Sequence, residues 1–446
     1  MKRLPILLVS ALVVGCAVQK PVVEEAVTPA LLEQDIVLVD SLPSCPWQEV
    51  FVDEPLRALI AEALDSNADV RTMQLNVEQA AQLMRVAKLS YLPTFALSPS
   101  ATATRAQSTA TYSYELPLTM SWELNLGGQV EAQKEATKYQ WMNTQEQLGY
   151  TRLQLIASVA NTYYTLVMLD EQLRISEQSV QLQRETLEAI RMMKDVGMMN
   201  ELAVNQAENE LQATIASVSD LRLQRDKTQR ALNLLMGRTP RAIQRSAYAH
   251  AKVIMMDAAT PVSLEALASR PDVRSAEYQL RASFSNTKVA RSQFYPSLKL
   301  TASGSWANNI GEVANPAQLL LNLIGGLTQP LFLNGQIKAG FEVAKAQQEQ
   351  AQIAFHQSLL QAGSEVADAM SECRTAQQKL QVREAQVEAS RKAAENSREL
   401  MQYSSSVTYL EVLTAQSSWL TAQLLQTADW LELQQGKINL YKALCR

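Results

Sequence analysis

Histidine and cysteine are rare in this chain, which limits the chemistry that its side chains could perform. The 446 residues include two histidines, His250 and His356, and four cysteines. Neither histidine belongs to an H-E-x-x-H pattern, a nucleophile elbow or a triad-like grouping, and the sequence has no glycine-rich phosphate loop. We therefore expect a protein that is not an enzyme, with no catalytic, cofactor-binding or metal-binding residues.

Cys16 is the residue whose surroundings most clearly indicate chemistry. Two basic residues precede an apolar stretch, residues 4–14, that is too short to span a bilayer and is typical of an export signal. The run Leu-Val-Val-Gly-Cys that ends at Cys16 resembles a bacterial lipobox, in which the cysteine thiol is diacylated after cleavage. We expect a signal peptide at 1–15 and a covalent lipid on Cys16, because several acyl chains hold a protein on a membrane stably. The alternative is an ordinary signal peptide with an incidental cysteine.

The remaining cysteines and the charge indicate no further ligand. Cys45, Cys373 and Cys445 are odd in number and widely spaced, so they predict neither a disulfide framework nor a metal or redox pair. The formal net charge is -5 and no basic run is present. This pattern argues against a nucleic-acid partner.

The chain contains an internal repeat of about half its length, which predicts a duplicated architecture. Asp69-Val70-Arg71 recurs as Asp272-Val273-Arg274, and Leu202-Ala203-Val204 is matched by Leu410-Glu411-Val412. The predicted organisation is a lipid-anchored linker at 16–55, repeat 1 at 56–237, a second linker at 238–262 and repeat 2 at 263–446.

Each repeat begins with a helical pattern of about 35 residues that stops at Pro93 or Pro296, and a β-hairpin pattern follows. From Tyr112 to Leu124, apolar and polar side chains alternate, as expected of a strand with one apolar face and one polar, hydrated face. Residues 298–306 alternate in the same way, and residues 95–104 and 319–333 give weaker strand patterns. Four aromatic residues occupy strand positions where aromatics mark a membrane interface, with plain packing as the alternative: Tyr112, Tyr114, Trp122 and Trp306.

Long helices without proline follow the hairpins. The segment from Gln129 to Val196 predicts one helix of about 100 Å at 1.5 Å per residue. Its apolar positions recur in alternating steps of four and three, a heptad pattern typical of coiled-coil packing: Leu155, Val159, Thr162, Leu166, Leu169, Leu173, Ser176, Val180, Gln183, Leu187 and Ile190. The flanking helices, at 56–92 and 201–237, are each about half as long, so end to end they would match the long helix.

Strands that face lipid must close into a barrel, because every backbone amide in a bilayer needs a partner. Four strands cannot close, and known membrane barrels begin at about eight strands. Two, three or four chains would therefore pool their hairpins. A soluble β-layer is the alternative for these segments.

The duplicated unit, the repeated entries Leu126-Gly127-Gly128 and Leu333-Asn334-Gly335, and the segment 409–416 resemble the TolC-like outer-membrane factor family, in its lipoprotein branch. The resemblance implies a mainly α-helical fold with a membrane β-barrel. In this fold a homotrimer forms one twelve-stranded barrel and a long α-helical barrel, with an equatorial belt from the linker and termini. It also implies a passive efflux conduit in the outer membrane of a Gram-negative bacterium. Its partners would be outer-membrane lipid, a periplasmic membrane-fusion adaptor and an inner-membrane transporter of the RND type. A non-conducting, envelope-spanning scaffold lipoprotein is the alternative function.

The resemblance also implies a periplasmic gate around Glu411, Tyr409 and Thr414. Glu411 occupies the position of a family carboxylate that rings the narrow end of the tunnel, where three copies would favour cations. A solvated glutamate at a helix N-terminus is the alternative. Tyr409 would narrow the opening or pack in the core. Two positions depart from the family pattern, since the turn 404–406 has serines where glycine is common and Thr414 stands where a carboxylate is common.

Overall fold

The computed structural model describes residues 46–106, 109–125, 127–251, 253, 264–309, 319–330, 332–403 and 407–444. The predicted signal peptide, Cys16, Cys45, Cys445 and the serine turn at 404–406 lie outside these residues. So does most of the second half of the 238–262 linker.

The described elements run in the same order in both halves of the chain. The first half contains α1 (Trp47–Val50), α2 (Glu54–Ser66), α3 (Ala68–Leu89), β1 (Thr94–Leu97), β2 (Ser100–Ala106), β3 (Thr109–Asn125), α4 (Gln129–Asp195) and α5 (Glu201–Leu235). The second half contains α6 (Leu264–Ala268), α7 (Pro271–Ser292), β4 (Ser297–Asn309), β5 (Leu319–Thr328), α8 (Gln336–Tyr403) and α9 (Tyr409–Leu444).

Two helices, α4 and α8, have 67 and 68 residues and so run for about 100 Å each. Neither contains a proline, which is why nothing interrupts their hydrogen bonding. The predicted heptad positions of α4 are buried from Leu155 to Ile190, except that Thr162 and Val180 are half-buried. The coiled-coil pattern therefore marks the packed face of α4.

The shorter helices join end to end at Asn67 and at Arg270. Asn67 begins α3 by accepting hydrogen bonds from the backbone of Asp69 and Val70, and its Nδ2 donates to the carbonyl of Leu235, the last residue of α5, at 2.8 Å. At the matching place in the second half, Arg270 precedes α7 and its Nη1 donates to the carbonyl of Ala443 in α9 at 3.4 Å. Thus α3 (22 residues) with α5 (35 residues), and α7 (22 residues) with α9 (36 residues), each form a column somewhat shorter than the 67 residues of α4.

The four columns pack side by side in a fixed order. We call them stave 1 (α3 and α5), stave 2 (α4), stave 3 (α7 and α9) and stave 4 (α8). Stave 2 packs against both helices of stave 1 and both helices of stave 3, and stave 4 packs against stave 3. Each protomer is therefore a wall four staves wide.

The strands form one antiparallel sheet whose order follows the order of the staves. β3 pairs with β1 and β2 on one side and with β4 on the other, and β4 pairs with β5. The two hairpins thus join through β3 and β4, and the sheet is four strands wide. Each stave continues directly into the strand at the same position.

A belt of shorter segments packs against the middle of the staves. Residues 46–66 and 238–251 cover α4, where Tyr163 is fully buried and donates to Asp53 at 2.8 Å. Asp53 also accepts a hydrogen bond from Ser246 at 2.8 Å, so one carboxylate ties the N-terminal segment to the linker. Burial raises the pKa of the Tyr163 phenol far above its usual range, which keeps the phenol a hydrogen-bond donor.

Three predicted boundaries differ from the structure. The helix expected at 56–92 is broken at Asn67 because this residue caps α3. The strand expected at 95–104 is divided between β1 and β2 at Pro99, whose nitrogen cannot donate to the sheet. β5 ends at Thr328, two residues before Pro330, and pairs without a bulge through its glycines, Gly325–Gly326.

Candidate functional site

The pairing register places most of the apolar side chains of the strands on one face of the sheet, although Ile324 lies on the opposite face, paired with Thr301. Trp122 lies opposite Leu300, which in turn lies opposite Gly325, and the same alternation continues along the strands. The members of this apolar face include Phe95, Leu97, Tyr112, Tyr114, Leu116, Leu118, Met120, Trp122, Leu124, Leu298, Leu300, Ala302, Trp306, Leu321, Leu323 and Leu327. Within the described residues no helix covers this face, and Leu321 and Leu323 are 76% and 78% exposed.

The opposite face of the sheet is mainly polar. It carries Thr94, Ser100, Thr102, Thr104, Ser113, Glu115, Thr119, Ser121, Glu123, Lys299, Thr301, Ser303, Ser305 and Asn322. A sheet with one exposed apolar face and one polar face suits a boundary between hydrocarbon and water.

The four aromatic residues predicted at a membrane interface all lie on the apolar face. Tyr112, Tyr114 and Trp306 are near the end of the sheet farthest from the helices, whereas Trp122 is near the helices and donates to the carbonyl of Tyr91 at 3.0 Å. Ten residues separate Tyr112 from Trp122, which is about 34 Å of strand. At a tilt of about 45° this length spans roughly the 25 Å height of an apolar barrel band.

Both edges of the sheet and both edges of the wall lack a partner among the described residues. β1 and β2 form one sheet edge and β5 the other, because neither edge pairs with a further strand. The outer staves expose apolar side chains along their length: Leu75, Leu83, Val86, Leu89, Leu202, Leu223 and Leu234 on stave 1, and Val343, Ile353, Leu360, Val382 and Leu400 on stave 4. A single chain therefore leaves backbone groups unpaired at two opposite edges.

Glu411 lies at the end of the wall farthest from the sheet, in the first turn of α9. Its Oε2 accepts hydrogen bonds from the backbone nitrogen of Thr408 at 2.7 Å and from the Thr408 hydroxyl at 2.9 Å. The Glu411 backbone nitrogen in turn donates to the Thr408 hydroxyl oxygen at 3.4 Å. This reciprocal arrangement is a capping box, in which Thr408 is the N-cap residue. The backbone hydrogen bond from Thr408 lowers the pKa of Glu411, which keeps this exposed carboxylate charged.

Tyr409 connects the helical hairpin formed by α8 and α9 to the helical hairpin formed by α4 and α5. Its hydroxyl donates to Oε1 of Gln206 in α5 at 2.8 Å, and its ring packs against the apolar cluster that contains Leu187 and Leu413. Thr414 is exposed and lines a groove between α5 and α9 together with Gln206. The three predicted gate residues therefore lie within two turns of one helix, beside α5.

Gln206 and the joint residues Asn67 and Arg270 were not predicted from the sequence. A usable signal existed for the joints, because Asn67 and Arg270 stand directly before the repeated segments that contain Asp69 and Asp272. No local pattern indicates Gln206, since its partner Tyr409 lies in the other half of the chain.

The helices of the described residues include no segment that is both long and apolar enough to cross a membrane. The same residues contain no group of three or more histidine, cysteine, aspartate or glutamate side chains that could hold a metal ion.

Comparison with known proteins agrees with this geometry. The family model described as "Outer membrane efflux protein" matches residues 59–238 and 262–446. The chain is 26% identical to the cation efflux system protein CusC of Escherichia coli K12, over 99% of this chain and 98% of CusC. It is also 26% identical to the probable outer membrane lipoprotein SilC of Salmonella typhimurium, over 91% of this chain and 89% of SilC.

Among solved structures, the open state of the MtrE outer membrane channel of Neisseria gonorrhoeae superposes with a TM-score of 0.82 at 25% identity, over 92% of this chain and 94% of MtrE. The outer-membrane channel OprN gives a TM-score of 0.83 at 25% identity, over 91% of this chain and 93% of OprN. Since the family model covers most of the chain, in two segments that each include helices and a hairpin, the chain belongs to the outer membrane efflux protein family.

Proposed function

We propose that three copies of this chain close into one passive conduit that exports small molecules across the outer membrane. Each copy supplies four strand positions to a twelve-stranded barrel and four staves to a helical tunnel of about 100 Å. This proposal rests mainly on one observation, namely that the sheet has one apolar face and an unpaired strand at each edge. Such a sheet is stable in lipid only when its edges are paired, and neighbouring copies offer the matching edges.

The conduit receives its cargo from two further proteins in this proposal, a periplasmic membrane-fusion adaptor and an inner-membrane transporter of the RND type. Family membership supports an efflux role. The helix tips that carry Glu411, Tyr409 and Thr414 form the periplasmic gate, and three copies of Glu411 form an anionic ring there. The four aromatic residues of the apolar face contact the lipid headgroups of the outer membrane.

Cys16 anchors the mature N-terminus through covalent lipid in this proposal. Mass spectrometry of the N-terminal peptide tests the anchor: we expect a diacylglyceryl thioether on Cys16 and its loss in Cys16→Ser. A mature N-terminus that starts elsewhere, or an unmodified Cys16, contradicts it.

Single-channel conductance of the purified oligomer in a planar bilayer tests the conduit. We expect discrete conductance steps, enlarged by substitutions at the gate such as Tyr409→Phe, which removes the hydrogen bond to Gln206. A structural scaffold, the alternative function, gives no conductance in wild type or in gate variants. A monomer in mild detergent whose hairpins lie in water would also exclude the conduit.

A further inference from the structure

Methionine is concentrated at the turn between α4 and α5. Of the 15 methionines in the chain, four lie within residues 192–199, as two adjacent pairs. Met192 and Met198 are 64% and 73% exposed, whereas Met193 and Met199 are half-buried. Methionine is among the residue types most often buried, so packing alone does not account for two largely exposed methionines beside two others.

The hydrogen bonds that end α4 bring three of these side chains together. The backbone nitrogen of Met198 donates to the carbonyl of Met193 at 2.8 Å, and that of Gly197 donates to the carbonyl of Lys194 at 2.9 Å. Gly197 has a φ of 76°, so the arrangement is a Schellman motif. In this motif the residue after the glycine contacts the last turn of the helix. The motif therefore directs the side chain of Met198 towards those of Met192 and Met193.

The length of the turn does not require methionine. The second half of the chain joins α8 to α9 through residues 404–408, a connection as long as residues 196–200 between α4 and α5. When the pairing of Leu202 with Leu410 is extended, the four methionine positions correspond to Leu400, Met401, Ser406 and Val407. Three of the four positions thus carry another side chain in a connection of the same length.

The charged side chains beside the turn leave it open to a cation. Lys194 pairs with Glu201 across the turn, and Arg191 pairs with Glu208 at 3.4 Å. Asp195, the last residue of α4, is exposed and adds a negative charge between the two pairs of methionines. The basic side chains are therefore neutralised, and the thioether sulfurs are the ligands that the turn offers.

We propose that this turn binds one soft monovalent cation, Cu(I) or Ag(I), through the sulfur atoms of Met192, Met193 and Met198. Soft thioether ligands select Cu(I), whereas Mg²⁺, Ca²⁺ and Mn²⁺ prefer oxygen ligands. A methionine side chain is unbranched and has three rotatable bonds, so the three sulfurs can converge on one ion while the backbone stays in place. The site departs from the expectation of no metal-binding residues, which was based on histidine and cysteine.

The site lies next to the gate residues. Met199 and Tyr409 both pack against the apolar cluster that contains Leu187 and Leu413. Three copies of the site then surround the narrow end of the tunnel, and this placement rests on the proposed function. The binding itself does not, because all three sulfur ligands belong to one chain.

Isothermal titration calorimetry of the full-length oligomer with silver nitrate, in a chloride-free buffer, tests the site. Cys45, Cys373 and Cys445 are first replaced by alanine because thiols compete for Ag(I), and size-exclusion chromatography checks that the oligomer is intact. We expect one Ag(I) per chain, with sulfur neighbours in the X-ray absorption spectrum of silver. An absence of binding, or a bound ion with only nitrogen or oxygen neighbours, would overturn the proposal.

Two double variants in the same background locate the sulfur ligands. Met192→Leu with Met198→Leu conserves volume and apolar surface but removes two thioethers, so the stoichiometric binding of Ag(I) should be lost. The matched control is Met142→Leu with Met168→Leu, which replaces two half-buried methionines of the same helix and should leave the binding unchanged. Equal Ag(I) affinity of the two double variants would refute the site.

Bilayer conductance of the same preparations separates this proposal from the proposed function. An oligomer that conducts but binds no Ag(I) refutes the metal site and leaves the conduit. An oligomer that binds Ag(I) through sulfur supports the metal site, even if it fails to conduct and thereby refutes the conduit.

Discussion

Asn67 and Arg270 occupy the same position in the two halves of the chain, and the side chain of each donates to a backbone carbonyl in the last turn of the helix that completes its stave. Asn67 does so with a neutral amide that also caps α3. Arg270 is 1% exposed, and its guanidinium additionally pairs with Asp272 at 2.7 Å and Glu365 at 2.6 Å. A cation is well placed there because the C-terminus of a helix carries partial negative charge.

The joint at Arg270 should contribute more to stability than the joint at Asn67. Arg270→Ala breaks a buried ion pair, at a cost of about 3 kcal/mol. Asn67→Ala removes a helix cap, at a cost of about 1 kcal/mol. The unfolding midpoint, measured by circular dichroism during heating, should therefore be highest for the wild type, lower for Asn67→Ala and lowest for Arg270→Ala.

The control for this ranking is Arg222→Ala, which removes a solvent-exposed pair with Glu177 and should cost less than about 0.5 kcal/mol. If Arg270→Ala unfolds with the same midpoint as Arg222→Ala, the joint at Arg270 between α7 and α9 does not contribute measurably to stability.

The substitution Glu411→Gln should separate the charge of this residue from its role as a cap. Glutamine also completes a capping box, so the start of α9 should persist while the negative charge is lost. We expect the ratio of anion to cation permeability, measured from reversal potentials in planar bilayers, to rise. Unchanged ion selectivity would count against an anionic ring. Glu54→Gln, in the first turn of α2, is a control in which selectivity should not change.

The cation preference should persist to unusually low pH. Because hydrogen bonds from Thr408 lower the pKa of Glu411 in each copy, this carboxylate is more than half ionised at pH 4.5, where an ordinary glutamate is half protonated. The stabilisation from its cap is likewise present above pH 4.5 and is lost as the pH falls through the lowered pKa. Reversal potentials between pH 7 and pH 3 test this, with Glu411→Gln as the pH-independent baseline. A midpoint above pH 4.5 would contradict this prediction and would mean that repulsion among the three carboxylates of the proposed ring outweighs the hydrogen bonds from Thr408.

The two faces of β5 should respond differently to the same charge. Leu323→Arg places a cation on the apolar face near the middle of the strand, at a cost of about 2 kcal/mol or more in a bilayer. Its neighbour Asn322 lies on the polar face, so Asn322→Arg should be tolerated. The measured quantity is the amount of heat-stable oligomer recovered from outer membranes. Equal recovery of the two variants would mean that the apolar face does not contact lipid.

Periodic features of this architecture were predictable from the sequence. The heptad positions of α4 from Leu155 to Ile190 line its packed face, and the alternation from Tyr112 to Leu124 agrees with the register of β3 and β4. Such patterns are reliable because they reflect burial along a whole helix or strand, and one residue that departs from the pattern does not hide it.

Single-residue features were harder to predict. The cap at Asn67 and the capping box of Thr408 and Glu411 both have local signals, yet the periodic pattern across residues 56–92 concealed the first. The contact between Tyr409 and Gln206 has no local signal, because it depends on how two helical hairpins approach each other. Whether three Glu411 side chains face one axis stays a prediction for the same reason.

The two unpaired edges of the protomer are chemically different, which makes the joint between copies heterologous. The edge formed by stave 1, β1 and β2 must meet the edge formed by stave 4 and β5, so every copy in a closed ring donates one edge and accepts the other. A copy damaged at only one edge would still be incorporated through its intact edge, and it would then terminate growth. In a ring of three, the yield of complete assemblies would fall as the cube of the fraction of intact copies. Such a variant would therefore be dominant negative when it is expressed beside the normal chain.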